Sequence, residues 1–363
     1  MGGSIMAVVI NGTTGIDKVQ DGSIGTADIA TDAITPPKIA DTVNLGRRNR
    51  FMNGDFQIAQ RGTSHTYTNG QSGYHTLDRM YSACFSAGGT LALGQQHAGH
   101  DGVDAPKFLR ATTAGTVGAS ATVYSRQAIE GIEQFSNKQV TVSFMVKANT
   151  ATTFQLRREY YYGSSSTEYS GFVDVPVTTS WTKFTHTYDA VDFSSKTIGS
   201  VNYWSVLFYW STNQGSNKVR DGNIDITNIQ MEIGTEATPF ERLSFSEQLH
   251  LCQRYCQVWG EAGDALVFSG KGQGGDQLDF GWPIPVPLRV SPTISHTGTG
   301  WRAFRPAAAL VQSSNVATVS RHGTTHGFIA LRVAGFPSSS FTNNYAVNIG
   351  PHSLSQCIFH ADY

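Results

Sequence analysis

An all-β chain is the fold class that this sequence predicts: two β-sandwich domains joined by a short α-helix and preceded by an extended, repetitive arm. Three observations predict it. Charged residues make up 15% of the 363, against a usual share of about 25%, while Gly, Ser, Thr and Asn are abundant, a mixture that favours short strands and turns over helices. Apolar and polar residues alternate in short runs through most of the chain, the period of a strand with one buried face. A single segment after residue 243 switches to helical spacing.

The arm covers residues 1–48. From Val19 an apolar residue recurs every fifth position, Val19, Ile24, Ile29, Ile34 and Ile39, among Asp, Gly, Thr and Ala. Five fits neither the helical period nor the strand period. One β-branched residue in five cannot offset an ordering cost of about 1–2 kcal/mol per residue. The row is therefore either disordered or buried on an axis shared by several copies, as stacked repeats bury theirs between neighbours. Pro36-Pro37 interrupts it, and Arg47-Arg48-Asn49-Arg50 precedes a change of character.

Residues 49–243 form the first expected sandwich. Val140 to Val146, Phe154 to Leu156 and Phe172 to Val175 alternate, and Trp181 to Tyr188, Tyr203 to Trp210 and Ile224 to Ile233 are further strand-length runs. Turn chemistry at Gly163 to Thr167 and Asn213 to Asn217 separates them, which suits an antiparallel sandwich of about eight or more strands.

Residues 244–260 are the expected linker helix. Ser244-Phe245-Ser246-Glu247 is a capping box, and helical periodicity runs from Phe245 to Trp259. Phe245, Leu249, Cys252, Cys256 and Trp259 follow heptad spacing, the seam of an oligomer axis. Leu251, Tyr255 and Val258 make a second apolar side, so burial against symmetry mates and burial within one subunit both fit. Gly260 is the expected stop.

Residues 261–363 return to strand patterns and form the second expected sandwich. Trp282-Pro283-Ile284-Pro285-Val286-Pro287 belongs at an edge or in a crossing strand, because proline cannot donate to a ladder. His326 to Val333 and Tyr345 to Ile349 are further strands, with Phe336 to Ser340 a loop.

Lys and Arg number 26 against 27 for Asp and Glu, so no global field draws the chain to nucleic acid or to an anionic membrane. Ile5 to Ile10 is too short to span a bilayer and no basic residue precedes it, so a soluble, unprocessed chain is expected. Cys84, Cys252, Cys256 and Cys357 are too scattered for a disulfide framework and are read as reduced thiols.

The segment Phe51-Met52-Asn53-Gly54-Asp55-Phe56-Gln57-Ile58-Ala59-Gln60-Arg61-Gly62, read as a first strand, resembles the opening of bacteriophage tail-fibre or receptor-binding domains with a carbohydrate-binding-module jelly roll. Leu77-Asp78-Arg79-Met80-Tyr81, Ile129-Glu130, Val142-Ser143-Phe144, the closing run Ile224 to Gly234 and Ala237 to Glu241 are similar in the same way. Leu251 to Gln257 looks like the short helix that follows such a domain, where a second aromatic is common at the place of Cys256. The likeness spans roughly residues 17–290, and its motifs are specific only in combination. It implies a homotrimeric fibre of the virion, assembled in the host cytoplasm and attached to other tail proteins by its N-terminal arm, with residues 261–363 as the receptor-binding tip. It identifies no ligand.

The resemblance also raises a structural calcium between first and last strands of the jelly roll, for which Asp55, Asp225 and Glu232 are candidates. Ca²⁺ takes about six to eight oxygens, and Gln57 stands where related modules often carry an acid, so ordinary turn and ladder hydrogen bonding is the alternative and no cofactor is expected. Gly270 to Gly275 matches G-x-G-x-x-G by letter, but no helix follows to meet a phosphate, so a turn is the better reading. His97 with His100, and His322 with His326, lack further ligands nearby.

Neither G-x-S-x-G nor H-E-x-x-H occurs, and the expectation is a non-enzymatic binding protein. Aromatic faces stack on pyranose rings while polar neighbours take the hydroxyls. In residues 261–363 the candidates for such contact are Trp301, Phe336 and Tyr345, with His322 and His326 among them. The function expected is adsorption to a host-surface glycan or protein, with three weak sites on one fibre gaining avidity of about 10²–10⁴. The alternatives are a glycan-degrading tail spike, whose paired acids would leave no sequence spacing, and a purely architectural virion protein.

Overall fold

The computed structural model describes residues 47–98, 102–116, 121–215, 218, 220–259, 268–272, 275–296, 301–304, 310–312, 318–325, 328–334, 336, 346–351 and 357–363. The alternating runs become strands β1 (Ser64–Thr68), β2 (Gln71–Gly73), β3 (Tyr81–Phe85), β4 (Thr90–His97), β5 (Lys107–Ala114), β6 (Thr122–Glu130), β7 (Val140–Ala148), β8 (Thr152–Gly163), β9 (Glu168–Tyr169), β10 (Val173–Val177), β11 (Thr182–Tyr188), β12 (Ile198–Thr212) and β13 (Gly222–Ile233). They pair antiparallel into two sheets, one in the order β1-β4-β5-β13-β7-β11 and one in the order β10-β8-β12-β6-β3-β2, with β9 also on β8. Alternate residues of each sheet point inward. Val142 and Phe144 of β7 meet Phe154 of β8 and Trp204, Phe208 and Trp210 of β12 in one core, with Phe144 and Phe208 edge to face at 5.7 Å.

The segment Phe51–Gly62, expected as a first strand, is instead a run of tight turns. Asn53 and Phe56 take left-handed backbone conformations (φ 57° and 56°), which end any extended run. Asn49 anchors it to β13: its Nδ2 donates to the Ile229 carbonyl (3.1 Å), and its Oδ1 accepts from the amides of Phe51 and Met231 (2.9 and 3.0 Å). Gly54 lies directly against the Ile229 carbonyl oxygen, so a Cβ there has no room.

The helix, α1 (Phe245–Gln253), starts on the expected capping box. Ser244 Oγ accepts from the Glu247 amide at 3.3 Å, and the Glu247 carboxylate accepts from the Ser244 amide at 2.9 Å. It ends six residues early, and the heptad seam therefore does not exist as one helical stripe. Arg254 caps it, and Cys256 and Trp259 lie in strand β14 (Cys256–Trp259). That strand pairs antiparallel with β23 (Cys357–His360), so the ladder offered by a distant partner overrides the helical pattern.

Between these two strands come β15 (Phe268–Gly272), β16 (Leu278–Pro283), β17 (Thr293–His296), β18 (Trp301–Phe304), β19 (Leu310–Gln312), β20 (Thr318–Thr325), β21 (Phe328–Ala334) and β22 (Ala346–Pro351). They form a sheet in the order β19-β18-β22-β15-β16-β21-β20, and β14-β23-β17 make a smaller one. The strand containing Trp282 and Pro283 is interior, not an edge, with Pro283 at its last position opposite Phe328. Gly270 to Gly272, expected in a turn, belong to β15 and pair with β16. All four cysteines are buried free thiols.

Candidate functional site

Strand β12 decides where the site lies. Trp204, Val206, Phe208 and Trp210 face the core between the sheets, so Tyr203, Ser205, Leu207 and Tyr209 face outward, where a solvated sheet carries polar residues. All four are nonetheless buried, at 6%, 0%, 3% and 5% exposure. Their cross-strand neighbours supply the cover. In one row Ala83, Tyr124, Tyr209 and Gln155 lie side by side; in the next, Tyr81, Arg126, Leu207 and Arg157; in the next, Ala128, Ser205 and Glu159.

The result is an aromatic platform on the outer face of the second sheet. Tyr81 and Tyr124 have ring centroids 6.3 Å apart, Tyr124 and Tyr209 5.5 Å, and Tyr209 and Phe172 5.2 Å. Charge is interleaved with the rings. The Arg126 guanidinium lies over Tyr81 at 4.9 Å and Tyr203 at 5.2 Å, and Arg157 lies over Tyr169 at 4.3 Å and Phe172 at 4.7 Å, distances at which the ring quadrupole attracts a cation. Arg126 pairs with Glu159, whose other contacts are Ser205 Oγ (2.6 Å) and the Tyr169 hydroxyl (3.2 Å). Burial is the largest single influence and disfavours the Arg126 charge, but the Glu159 carboxylate and the surrounding tyrosines Tyr203, Tyr74 and Tyr124 together more than offset it, and the guanidinium stays protonated. Burial raises the hydroxyls of Tyr124 and Tyr209, and those of Tyr169 and Tyr203 to about 12, so all stay neutral donors. Tyr169 is 46% exposed and Phe85, at the far end of β3, 43%.

One end of this platform is closed by the C-terminal residues. Tyr363 packs edge-on to Tyr203 at 5.0 Å, and Arg254 grips Glu130 through Nε and Nη2 (3.1 and 2.9 Å). Arg79, 1% exposed, lies 3.3 Å above the Tyr255 ring, donates to the Ala128 carbonyl and reaches Asp362 at 3.4 Å. Asp362 also pairs with Arg61, and Gln60 Nε2 donates to the Cys256 carbonyl at 2.9 Å. The Asp78-Arg79, Glu130 and Leu251 to Gln257 motifs thus meet at one seam.

The residues picked out from sequence are placed differently. Phe336, expected at a ligand loop, is 4% exposed in the C-terminal core with Leu278, Phe280, Leu331, Val333 and Phe359. Trp301 begins β18 and His322 lies in β20, while Tyr345 and His326 fall outside the described residues. So do Val19, Ile24, Ile29, Ile34 and Ile39 of the arm, and His100. Of the expected helical seam, Cys252 and Cys256 are buried within one chain, Trp259 packs on the C-terminal core, Leu249 is half-buried and Phe245 is 56% exposed.

The calcium candidates do not converge, and among the described residues no group of three His, Cys, Asp or Glu is placed to hold a metal. Asp55 accepts from Gln57 and Gln248, Asp225 from Arg110 at 2.7 and 2.8 Å, and Glu232 from Gln230 and Thr238. The platform tyrosines were missed in sequence. Their signal is Tyr203 to Trp210, an almost unbroken apolar run that implies cover on both faces.

No protein-family profile matches the chain, and no curated protein matches its sequence. In three dimensions it is similar to the enzymatically active domain of bacteriophage CBA120 tailspike protein 4, at 13% identity and a TM-score of 0.33, over 51% of this chain and 21% of that one. The chain thus spans about a fifth of that neighbour. It is similar also to the family 11 carbohydrate-binding module of the Clostridium thermocellum cellulase Lic26A-Cel5E, at 14% identity and a TM-score of 0.32, over 52% and 96%. A third neighbour is the CBM22-1 xylan-binding domain of Paenibacillus barcinonensis Xyn10C, at 13% and 0.28, over 48% and 95%. The two-sheet sandwich rests on the strand pairings themselves.

Proposed function

We propose that this chain is a trimeric, non-enzymatic tail-fibre subunit of a bacteriophage, joined to the tail through residues 1–48 and binding a glycan of the host surface. The observation that carries the glycan reading is the outward face of β8, β12, β6 and β3, where tyrosine rings alternate with arginine, glutamate and glutamine across adjacent strands. Such a face stacks on the apolar sides of sugar rings and hydrogen-bonds their hydroxyls. This moves the expected binding surface from the C-terminal residues to the first sandwich. The attachment and trimer parts rest on the sequence motifs and on the five-residue period of the arm.

The experiment is a binding screen of the full chain against purified bacterial surface polysaccharides, neutral and acidic, followed by Tyr124→Ala and Arg126→Met. Tyr124→Ala is expected to weaken binding about tenfold, or about 1.4 kcal/mol, and, since this ring is part-buried against Tyr81 and Tyr209, to lower the melting temperature while leaving the chain folded at the assay temperature, which circular dichroism checks. Undiminished binding in both variants refutes the reading.

A further inference from the structure

Building on the glycan reading above, we propose that the protein captures the end of a glycan chain, and that a terminal neutral sugar occupies a cavity where the platform meets the C-terminal sheet. The cavity measures about 640 Å³, within the range of about 300–1,000 Å³ found for small-molecule sites. Ser72, Tyr74 and His75 line it from the sandwich, and Thr293, Ser295 and Tyr363 from the other side.

Two observations join it to the platform. Tyr74 lies 5.4 Å from Tyr81, the first ring of the row that runs on through Tyr124 and Tyr209 to Phe172, and Tyr363 lies 5.0 Å from Tyr203. Aromatic rings therefore continue from the sheet into the cavity wall, each turned edge to face on its neighbour. The seam stands across this end, fixed by Arg254 on Glu130 and by Asp362 on Arg61 and Arg79. A sugar chain lying along the rings meets a wall here and has to end or turn.

The lining also selects by charge. Arg61 and Asp362 both border the cavity, but they neutralise each other, their side chains 4% and 6% exposed. His360 bonds Ser295 Oγ at 2.7 Å through Nε2 and faces Arg61 with Nδ1 at 3.5 Å; burial and the adjacent guanidinium lower its pKa. What remains for a ligand is hydroxyls, the exposed His75 imidazole and the parts of the Tyr74 and Tyr363 rings that Arg61 and Arg289 do not cover. That chemistry suits a neutral, hydroxyl-rich unit better than a uronic acid or a phosphate.

The test takes the neutral polysaccharide that binds best in the screen, intact and shortened by partial acid hydrolysis, at equal sugar mass. Shortening multiplies chain ends and leaves the repeat unit unchanged. Calorimetric stoichiometry of the full chain, per unit of sugar mass, is expected to rise with the number of ends. Ser72→Trp and Thr293→Trp, both at exposed positions of the cavity rim, are expected to weaken binding tenfold or more. Stoichiometry unchanged by shortening, while Tyr124→Ala still weakens binding, overturns end capture and spares the platform; it needs no cavity variant to fold. Binding indifferent to both Tyr124→Ala and Arg126→Met, or absent throughout the screen, overturns the glycan reading and end capture together. Preference for a uronic acid polymer over every neutral one overturns the neutral-sugar assignment.

Discussion

Asp362 carries more than its own charge. Arg61 and Arg79 both depend on it, and with side chains 4% and 0% exposed neither can turn to water. Removing one partner of a buried pair leaves the other charge unsolvated. Asp362→Ala is therefore expected to cost about 3–5 kcal/mol, read as a lower urea midpoint with an unchanged slope. His360 adds a pH dependence. Its folded-state pKa lies below the ordinary histidine value because of burial and then Arg61, so the unfolded chain binds the extra proton first. Stability from this group is complete above about pH 6.5 and is lost as pH falls through the depressed folded value. Melting temperature is expected to drop between pH 7 and pH 5.5, and His360→Gln to flatten that drop; equal slopes in parent and variant would refute it. None of this was readable beforehand, because Asp362 lies 301 residues from Arg61 and 283 from Arg79 and spacing carries no sign of their meeting.

Strands and helix show which local signals are decisive. Alternation located β7, β10 and β11 closely because one face of each is core. The capping box located the start of α1 to the residue, since its two hydrogen bonds are local. Its end was illegible. Cys256 to Trp259 fit a helix by period, and only pairing with Cys357–His360, a hundred residues on, makes them a strand. The platform was hidden for a related reason: a run such as Tyr203 to Trp210 gives no alternation from which to tell core face from binding face. Ser244→Ala is expected to destabilise the chain by about 1 kcal/mol, because it removes the oxygen that accepts the Glu247 amide; hydrogen exchange of the first turn of α1 checks it.

For the molecule as a whole the open quantity is its copy number. With Cys252 and Cys256 buried inside one subunit, the trimer proposal rests on the sequence motifs and the arm, with no helical seam beside them. Ultracentrifugation of the full chain is expected to give three times the subunit mass of 39.3 kDa, and Ile24→Asp combined with Ile29→Asp to give the single subunit. A monomeric parent would remove the avidity mechanism, since weak sites gain only when several are tied together.

The position of β23 between β14 and β17 sets a timetable for biosynthesis. Domains emerge from the ribosome N-terminal end first, so the two-sheet body is complete while the partner that β14 awaits is still untranslated. Until residues 357–362 arrive, Arg79 stays without Asp362, the Tyr255 carbonyl without the Ala361 amide, and β14 without its ladder. Nascent chains arrested before that point should present this surface to chaperones, and full-length chains should withdraw it in a single late step.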